Sequence, residues 1–274
     1  MHPMADVTRF APSPTGLLHL GHAHAAIFAR RHGRRCLLRI EDIDAGRCRP
    51  EWAAALLEDL DWLGLRFDGE MRVQSRHMDE YRAALDRLGA LGLLYPCFCT
   101  RADIAAAGSA QHGPSGLIYP GTCRALPRAE AQARVAAGAA HALRLDVAAA
   151  LARTGPLAWH ERGEGRLPCD PAAHGDVVLA RKDVPASYHL CVTHDDAWQD
   201  VTLVTRGADL RPATAIHRLL QALLGWPEPD YAHHPLLAGA DGQRLAKRDG
   251  APSLRSLRAA GRSPAEVRAL AGCP

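Results

Sequence analysis

The chain reads as an α/β fold: a parallel sheet covered by helices, interrupted partway and closed by a short helical tail. Three observations predict it. Strand-like and helix-like segments alternate through residues 7–91. That alternation breaks at Tyr95 into turns, cysteines and small helices. Strand-like segments then return beyond residue 174 and lead into one more helix. Alternating β and α segments are the pattern of a parallel sheet with helices on its faces.

The elements follow in order. Residues 7–10 are short and β-prone, and residues 20–31 read as a helix. "RRCLLRIED" (34–42) is a strand whose carboxyl end carries acids. "PEWAAALLEDLDWLG" (50–64) is a helix, with Pro50 at its first turn and Gly64 ending it. Trp52, Leu56, Leu60 and Leu63 lie on one face of it. A further helix covers 77–91. Then "CFCTRADI" and "HGPSGLIYPGTC" supply turns and thiols, "LPRAEAQARVAAG" a small helix and "HALRLDV" a strand. "GDVVLARKD", "SYHLCVTHDD" and "VTLVTRGADL" show sheet-like alternation, and "PATAIHRLLQALLGW" is a helix stopped at Gly225. A polar loop and two short helices complete the tail. The organisation expected is a first half-domain over 1–94, an insertion over 95–174, a second half over 175–237, and a loop with helical tail over 238–274.

Composition sets the class. With 47% hydrophobic and 23% charged residues the chain is an ordinary globular protein. A net charge of +3 is too small to argue for a polyanionic partner except through a local patch. No run of apolar residues is long enough to span a bilayer, and no signal-peptide core opens the chain, so a cytoplasmic protein with no membrane partner is expected. Eight cysteines in that setting argue against a disulfide framework. Cys36, Cys48, Cys169, Cys191 and Cys273 are isolated, whereas Cys97, Cys99 and Cys123 are grouped in the insertion.

The densest local signal is "RFAPSPTGLLHLGH" (9–22), between the first strand and the first helix. Pro12 and Pro14 force an extended exit from the strand, and Gly16 permits a tight turn. Gly21 lets a ligand approach without a Cβ in the way. The helix that follows presents unpaired N–H groups and the positive end of its dipole, an anion site. His19 and His22 add imidazole donors where a triphosphate would lie. Taken alone, such a pair can equally cap the helix or fill space; a metal pair is a poorer reading, since no third ligand is near in sequence.

These residues carry a resemblance. "PSPTGLLHLGH" resembles the signature of class I aminoacyl-tRNA synthetases in its glutamyl form, with His19-Leu20-Gly21-His22 as the HIGH tetrad. "LRIEDID" (38–44) is similar to that family's "LRIEDTD", with Ile43 replacing a threonine. "ASYHL", "VTHDDAW", "VTLVTRGADL" and "HRLLQALLGWPEPDYAHHPLL" match its second-half segments. The likeness runs over about residues 7–255. It implies a Rossmann-type sheet, ATP carried with Mg²⁺, L-glutamate as substrate and, in the family, a mobile lysine loop. Here that loop is "RLAKR" (244–248), with Arg for the first lysine and Ala for the serine. Lys247 falls on the second lysine, the one implied to meet the phosphates. With His19 and His22 it forms the expected catalytic set, and with His19, Gly21 and His22 the expected ATP site.

The glutamate site implied comprises Arg9, Phe10, Ala11, Pro12, Ser13, Glu41, Tyr188 and Arg206. The chemistry is intelligible residue by residue. Arginine forks pair with carboxylates, so Arg9 and Arg206 suit the two carboxylates of glutamate, in an order the sequence leaves open. Glu41 suits the ammonium, and Ser13 and Tyr188 supply neutral hydrogen bonds. For the thiols, three sulfurs plus one further ligand make a tetrahedral Zn²⁺ site. From the residues alone the fourth ligand is His112, Tyr119 or Asp103. In the shortened paralogues of the family the pattern is C-x-C…Y-x₃-C, which falls on Cys97, Cys99, Tyr119 and Cys123. A phenolate becomes available beside a divalent cation that lowers its pKa.

About 26 residues follow Arg248, so two short helices and no anticodon-binding domain are expected. With the zinc pattern, that brevity resembles the glutamyl-Q branch of the family. The branch implies transfer of glutamate to queuosine at the wobble position of tRNA(Asp), the anticodon stem-loop being the partner, by a monomer. A short synthetase charging tRNA(Glu), or a non-catalytic glutamate- or tRNA-binding paralogue, are the competing expectations.

Overall fold

A computed structural model describes residues 6–107, 112–114, 116–237 and 252–273. In chain order they form β1 (Val7–Phe10), α1 (Leu20–His32), β2 (Arg35–Ile40), α2 (Pro50–Trp62), β3 (Arg72–Val73) and α3 (Met78–Ala90). The next are β4 (Leu94–Cys97), α4 (Arg101–Ala106), β5 (His112–Gly113), β6 (Gly116–Leu117), α5 (Arg128–Ala136), β7 (Ala142–Leu145) and α6 (Val147–Thr154). Then come β8 (Ala158–Glu161), β9 (Gly165–Pro168), β10 (Val178–Arg181), α7 (Tyr188–Trp198), β11 (Leu203–Gly207) and α8 (Thr214–Leu224). β12 (Asp230–His234), α9 (Leu254–Ala259) and α10 (Pro264–Leu270) complete the set. Two compact units result, one of residues 1–76, 200–211 and 229–274, the other of residues 77–199 and 212–228.

The first unit holds the parallel sheet. β1 pairs parallel with β2, β2 with β3, and β11 with β12. β1 and β11 are tied where the Thr202 N–H donates to the Val7 carbonyl at 3.0 Å and the Val7 N–H to Thr202 Oγ1 at 2.9 Å. β2 is buried on both faces from Cys36 to Ile40, which is why it reads as a continuous run rather than an alternation. α1 packs close to the sheet because its inner face is alanine: Ala23, Ala26 and Ala29 are buried with Ile27. Thr8, fully buried, seals the join by donating from Oγ1 to the Ala29 carbonyl at 2.8 Å. The expected face of α2 enters this core through Leu56 and Leu60, with Leu63 just beyond. The tail also belongs here: Leu254, Val267, Ala271 and Cys273 are in the same cluster as Leu18, Leu20 and Ala23. Leu254 N–H donates to the Leu18 carbonyl at 2.8 Å, and Ser253 bridges to His19 as an antiparallel pair.

In the second unit β4, β7 and β10 form an antiparallel sheet, β8 and β9 a hairpin, and α3, α7 and α8 pack together. Gly225 ends α8 in the left-handed region, φ 65°, as its sequence predicts. One element differs from expectation. "SYHLCVTHDD", which alternates like a strand, lies in α7. Ser187 caps it, Oγ accepting from the Leu190 N–H at 3.3 Å. Leu190, Cys191, Val192, Thr193, Asp195 and Asp196 are all buried, so the helix has no single apolar stripe for the sequence to display. Asp195 is accommodated because the Tyr81 hydroxyl donates to its carboxylate, Oδ2 at 2.9 Å.

Candidate active site

The corner before α1 is built by its prolines and glycines. The Pro12 carbonyl accepts the Glu41 N–H at 3.0 Å and the Pro14 carbonyl accepts the Arg49 N–H at 3.1 Å. The extended turn thus pins both ends of the loop after β2. Gly16 sits at φ 155°, where a side chain is strained. His19 then caps α1: its Nδ1 accepts the Gly21 N–H at 3.1 Å, while His22 Nδ1 accepts the His19 N–H at 3.2 Å. Each imidazole therefore uses Nδ1 as acceptor and carries its proton on Nε2. The rings are 3.9 Å apart and line a cavity of about 220 Å³ together with Gly21, His24, Gly207, Asp209 and His234. Capping and donor roles coexist, one on each nitrogen. A Cβ on Gly207 would sit 2.6 Å from Asp209 Oδ1 and 2.9 Å from Leu236 Cδ2, so both side-chain ends would have to shift to admit one.

Arg9, Glu41 and Arg206 come from three neighbouring strands of the first unit. Arg9 lies in β1, Glu41 just beyond β2, and Arg206 in β11. Carboxyl ends of parallel strands are where such sheets take ligands. All three side chains are buried. Arg9 Nη1 donates to the Thr205 carbonyl at 2.9 Å, and Arg206 Nε to His233 Nε2 at 3.1 Å, with its guanidinium 5.4 Å from the Tyr231 ring centre. Glu41 Oε1 receives Arg39 Nη2 at 3.3 Å and Nε at 3.4 Å, and Arg39 is completely buried. A buried carboxylate needs such a partner to remain charged. Phe10 is in the core, and Ala11, Pro12 and Ser13 follow it along the turn. Tyr188 belongs to the second unit, at the start of α7, 5.6 Å from the His189 ring and 5.8 Å from that of His217. Lys247 lies outside the described residues.

The insertion brings its thiols together. The sulfurs of Cys97, Cys99 and Cys123 lie within 4.8 Å of one another. Cys99 Sγ is 3.5 Å from both Cys123 Sγ and Tyr119 Oη. Burial pushes the Cys99 thiol up to about 11. Burial also acts to raise Cys123, but hydrogen bonds from Tyr119 and the Phe98 N–H outweigh it and hold this thiol below its usual range. The Phe98 N–H donates to Cys123 Sγ at 3.3 Å, the contact a thiolate ligand receives. Burial raises the Tyr119 phenol, so a nearby cation is required before it ionises. Arg144 stacks over its ring at 3.9 Å. Asp103 is committed elsewhere, capping α4 through Thr100 at 2.7 Å, and the side chain of His112 lies outside the described residues.

Sequence reasoning missed Arg39, His24, Gly207, Asp209, His233 and His234. Each is a common residue type inside a strand, helix or turn, and only its neighbours in space give it a part. Arg39 alone left a trace, as a charge inside an otherwise apolar strand.

A parallel α/β sheet with a histidine-capped helix at its corner, and buried arginines at neighbouring strand ends, is the arrangement of a Rossmann-type domain. The family model of class I (E and Q) tRNA synthetase catalytic domains matches residues 6–269, and the chain belongs to this family. It is 51% identical to a glutamyl-Q tRNA(Asp) synthetase of Rhodobacter capsulatus over 281 residues, 97% of this chain and 99% of that protein. A glutamyl-Q tRNA(Asp) synthetase of Nocardia farcinica is 47% identical over 96% of this chain and 82% of its own length. Among solved structures, a glutamate tRNA ligase from Elizabethkingia meningosepticum, in complex with its amino acid, superposes with a TM-score of 0.73 at 27% identity. That match covers 90% of this chain and 52% of the ligase, so the chain spans about half the ligase's length. No helix among the described residues is long and apolar enough to cross a membrane.

Proposed function

We propose that this chain is a ligase that activates L-glutamate with ATP, without tRNA, and transfers the glutamyl group to queuosine at the wobble position of tRNA(Asp). The observation that carries this reading is the likeness to glutamyl-Q tRNA(Asp) synthetases over nearly the whole of both chains. In the first step a carboxylate oxygen of glutamate attacks the α-phosphorus of ATP. The bond to the bridging oxygen breaks, giving glutamyl-adenylate and pyrophosphate. In the second a queuosine hydroxyl attacks the glutamyl carbonyl, loses its proton, and AMP leaves.

The roles assigned to this chain's residues follow from their chemistry. Arg9 and Arg206 hold the carboxylates, and Glu41, paired with Arg39, takes the ammonium; Phe10, Ala11, Pro12 and Ser13 are assigned with them, and Tyr188 is assigned a neutral hydrogen bond to the amino acid. His19 and His22 donate from Nε2 to phosphate oxygens at the N-terminus of α1, beside Gly21, and Lys247 meets the leaving pyrophosphate. Attack by a carboxylate needs no general base, so positioning and charge neutralisation carry the rate. Mg²⁺ bound to ATP supplies further neutralisation of phosphate charge. Cys97, Cys99, Cys123 and Tyr119 would hold one structural Zn²⁺, whose donor set and spacing suit a closed tetrahedral site.

The deciding experiment incubates the protein with labelled glutamate, ATP and tRNA(Asp) with or without queuosine, and separately with tRNA(Glu). Label is expected only on queuosine-containing tRNA(Asp). Label on tRNA(Glu) would make the chain a short glutamyl-tRNA synthetase, and absence of any adenylate would make it a non-catalytic paralogue.

A further inference from the structure

The middle strand of the insertion's antiparallel sheet carries a buried charge. Arg144 lies in β7 opposite Tyr95 of β4 and Val178 of β10, and is 9% exposed. A guanidinium taken out of water needs anions or acceptors around it, and this one has few. Its Nη1 donates to the Asp176 carbonyl at 2.7 Å, and its Nε is buried with no hydrogen-bond partner among the described residues. The Asp176 carboxylate is engaged by other donors: the Tyr95 hydroxyl at 2.6 Å, Arg124 Nη1 at 2.8 Å and the Val147 N–H at 3.0 Å. What Arg144 does cover is the face of Tyr119, its guanidinium carbon 3.9 Å from the ring centre. Attraction to a neutral ring only partly offsets the burial of a full charge.

The donor set beneath that ring explains the placement. Tyr119 is 6% exposed, and its Oη accepts the Cys123 N–H at 2.7 Å and lies 3.5 Å from Cys99 Sγ. Three thiolates on Zn²⁺ leave one negative charge in excess, and a phenolate adds a second on the ring that Arg144 covers. Cys97 and Cys123 are buried, so this excess would sit away from water, where it is costly without a counter-charge. We propose that Arg144 is a positioning residue of the metal site. It holds the plane of the Tyr119 ring so that Oη faces the thiols, and it supplies the buried positive charge that a four-anion donor set requires. The inference rests on the reading of Cys97, Cys99, Cys123 and Tyr119 as zinc ligands. The Asp176 carbonyl in turn fixes Arg144, while the Asp176 carboxylate tethers Arg124, the residue after Cys123. Two neighbouring points of the donor set are thereby anchored to one residue of the sheet.

The test is zinc affinity by chelator competition on the full chain, for wild type, Arg144→Met, Arg144→Lys, Tyr119→Phe and the double variant of Arg144→Met with Tyr119→Phe. Arg144→Met keeps bulk and loses the charge, and should weaken zinc binding about tenfold or more. Arg144→Lys keeps the charge but not the flat face, and should weaken it about threefold. With Tyr119→Phe already in place, Arg144→Met should add a loss of about twofold or less, because its action runs through that ring. Cobalt(II) in place of zinc reads the ligand set itself: the visible absorption of Arg144→Met should move toward that of Tyr119→Phe, which a general loss of stability would not produce. Wild-type zinc affinity in folded Arg144→Met would overturn the inference, as would an undiminished loss in the Tyr119→Phe background. If Arg144→Met does not fold, wild-type affinity in Arg144→Lys has the same force. Wild-type protein that takes up no zinc would instead overturn the reading of the thiols as a metal site, and this inference with it.

Discussion

Asp59 offers a quantitative check on how the tail is held. It lies on the inward face of α2, about 1% exposed, and its Oδ2 has no hydrogen-bond partner among the described residues. Burial raises its pKa from 3.8 to about 6, with Glu58 adding to the rise and Arg255 and Arg258 of α9 opposing it. The folded state thus holds this proton more tightly than the unfolded one. Its charged form is penalised in full above about pH 6, and the penalty is relieved as pH falls toward 4. A rise of this size corresponds to about 3 kcal/mol at pH 8. Asp59→Asn removes the charge without changing the shape, so it should stabilise the protein at pH 8 by about 2–3 kcal/mol, or about 5–10 °C in melting temperature. The gap to wild type should shrink to almost nothing by pH 4. Melting both proteins across pH 4–8 by circular dichroism isolates this group, because every other titration is common to the pair. A gap that stays constant with pH, or an asparagine variant less stable at pH 8, would refute the argument.

Three further outcomes are expected. Protein purified without chelator should carry one zinc per chain by atomic emission, and Cys99→Ala should lose it; unchanged zinc in the variant would remove the thiols from the site. Gly207→Ala should raise the KM for ATP several-fold while leaving that for glutamate alone, since its Cβ displaces Asp209 and Leu236, which line the same cavity; unaltered nucleotide kinetics would mean the cavity tolerates it. Arg9→Ala and Arg206→Ala should each abolish glutamate-dependent pyrophosphate exchange in folded protein, and wild-type rates in both would dismiss the pocket.

Much of this was legible in the sequence because local rules dominate there. Pro50 and Gly64 bracket α2, Gly225 ends α8, and the prolines and glycines of residues 12–21 announce a constrained corner. What stayed hidden was decided by packing. α7 is buried over so much of its surface that its period is erased, and a capped, acid-bearing helix passed for a strand. Asp59 gave no signal in the sequence, although it lies one residue before Leu60 of the buried face. The tautomers of His19 and His22 are fixed by the backbone N–H that each Nδ1 accepts, a contact made only once the helix corner has formed. The cysteine motif was visible, yet which thiol is held low depends on hydrogen bonds from Tyr119 and the Phe98 N–H, contacts no spacing rule contains.

The tail's return to the first helix has a consequence for synthesis. His24 meets the Ala271 carbonyl across 247 residues, and Arg258 reaches Glu58 across 200. Contacts of such span form only when both partners are available, and a chain emerging from the ribosome offers its N-terminal portion first. The corner that carries His19 and His22 therefore waits, with part of its core uncovered, until residues 254–273 have been translated. A prematurely terminated product would retain every residue of that corner and lack the segments that finish it. Binding of nucleotide by the nascent chain, followed on stalled ribosomes of increasing length, should switch on only once residues 254–273 have cleared the exit tunnel.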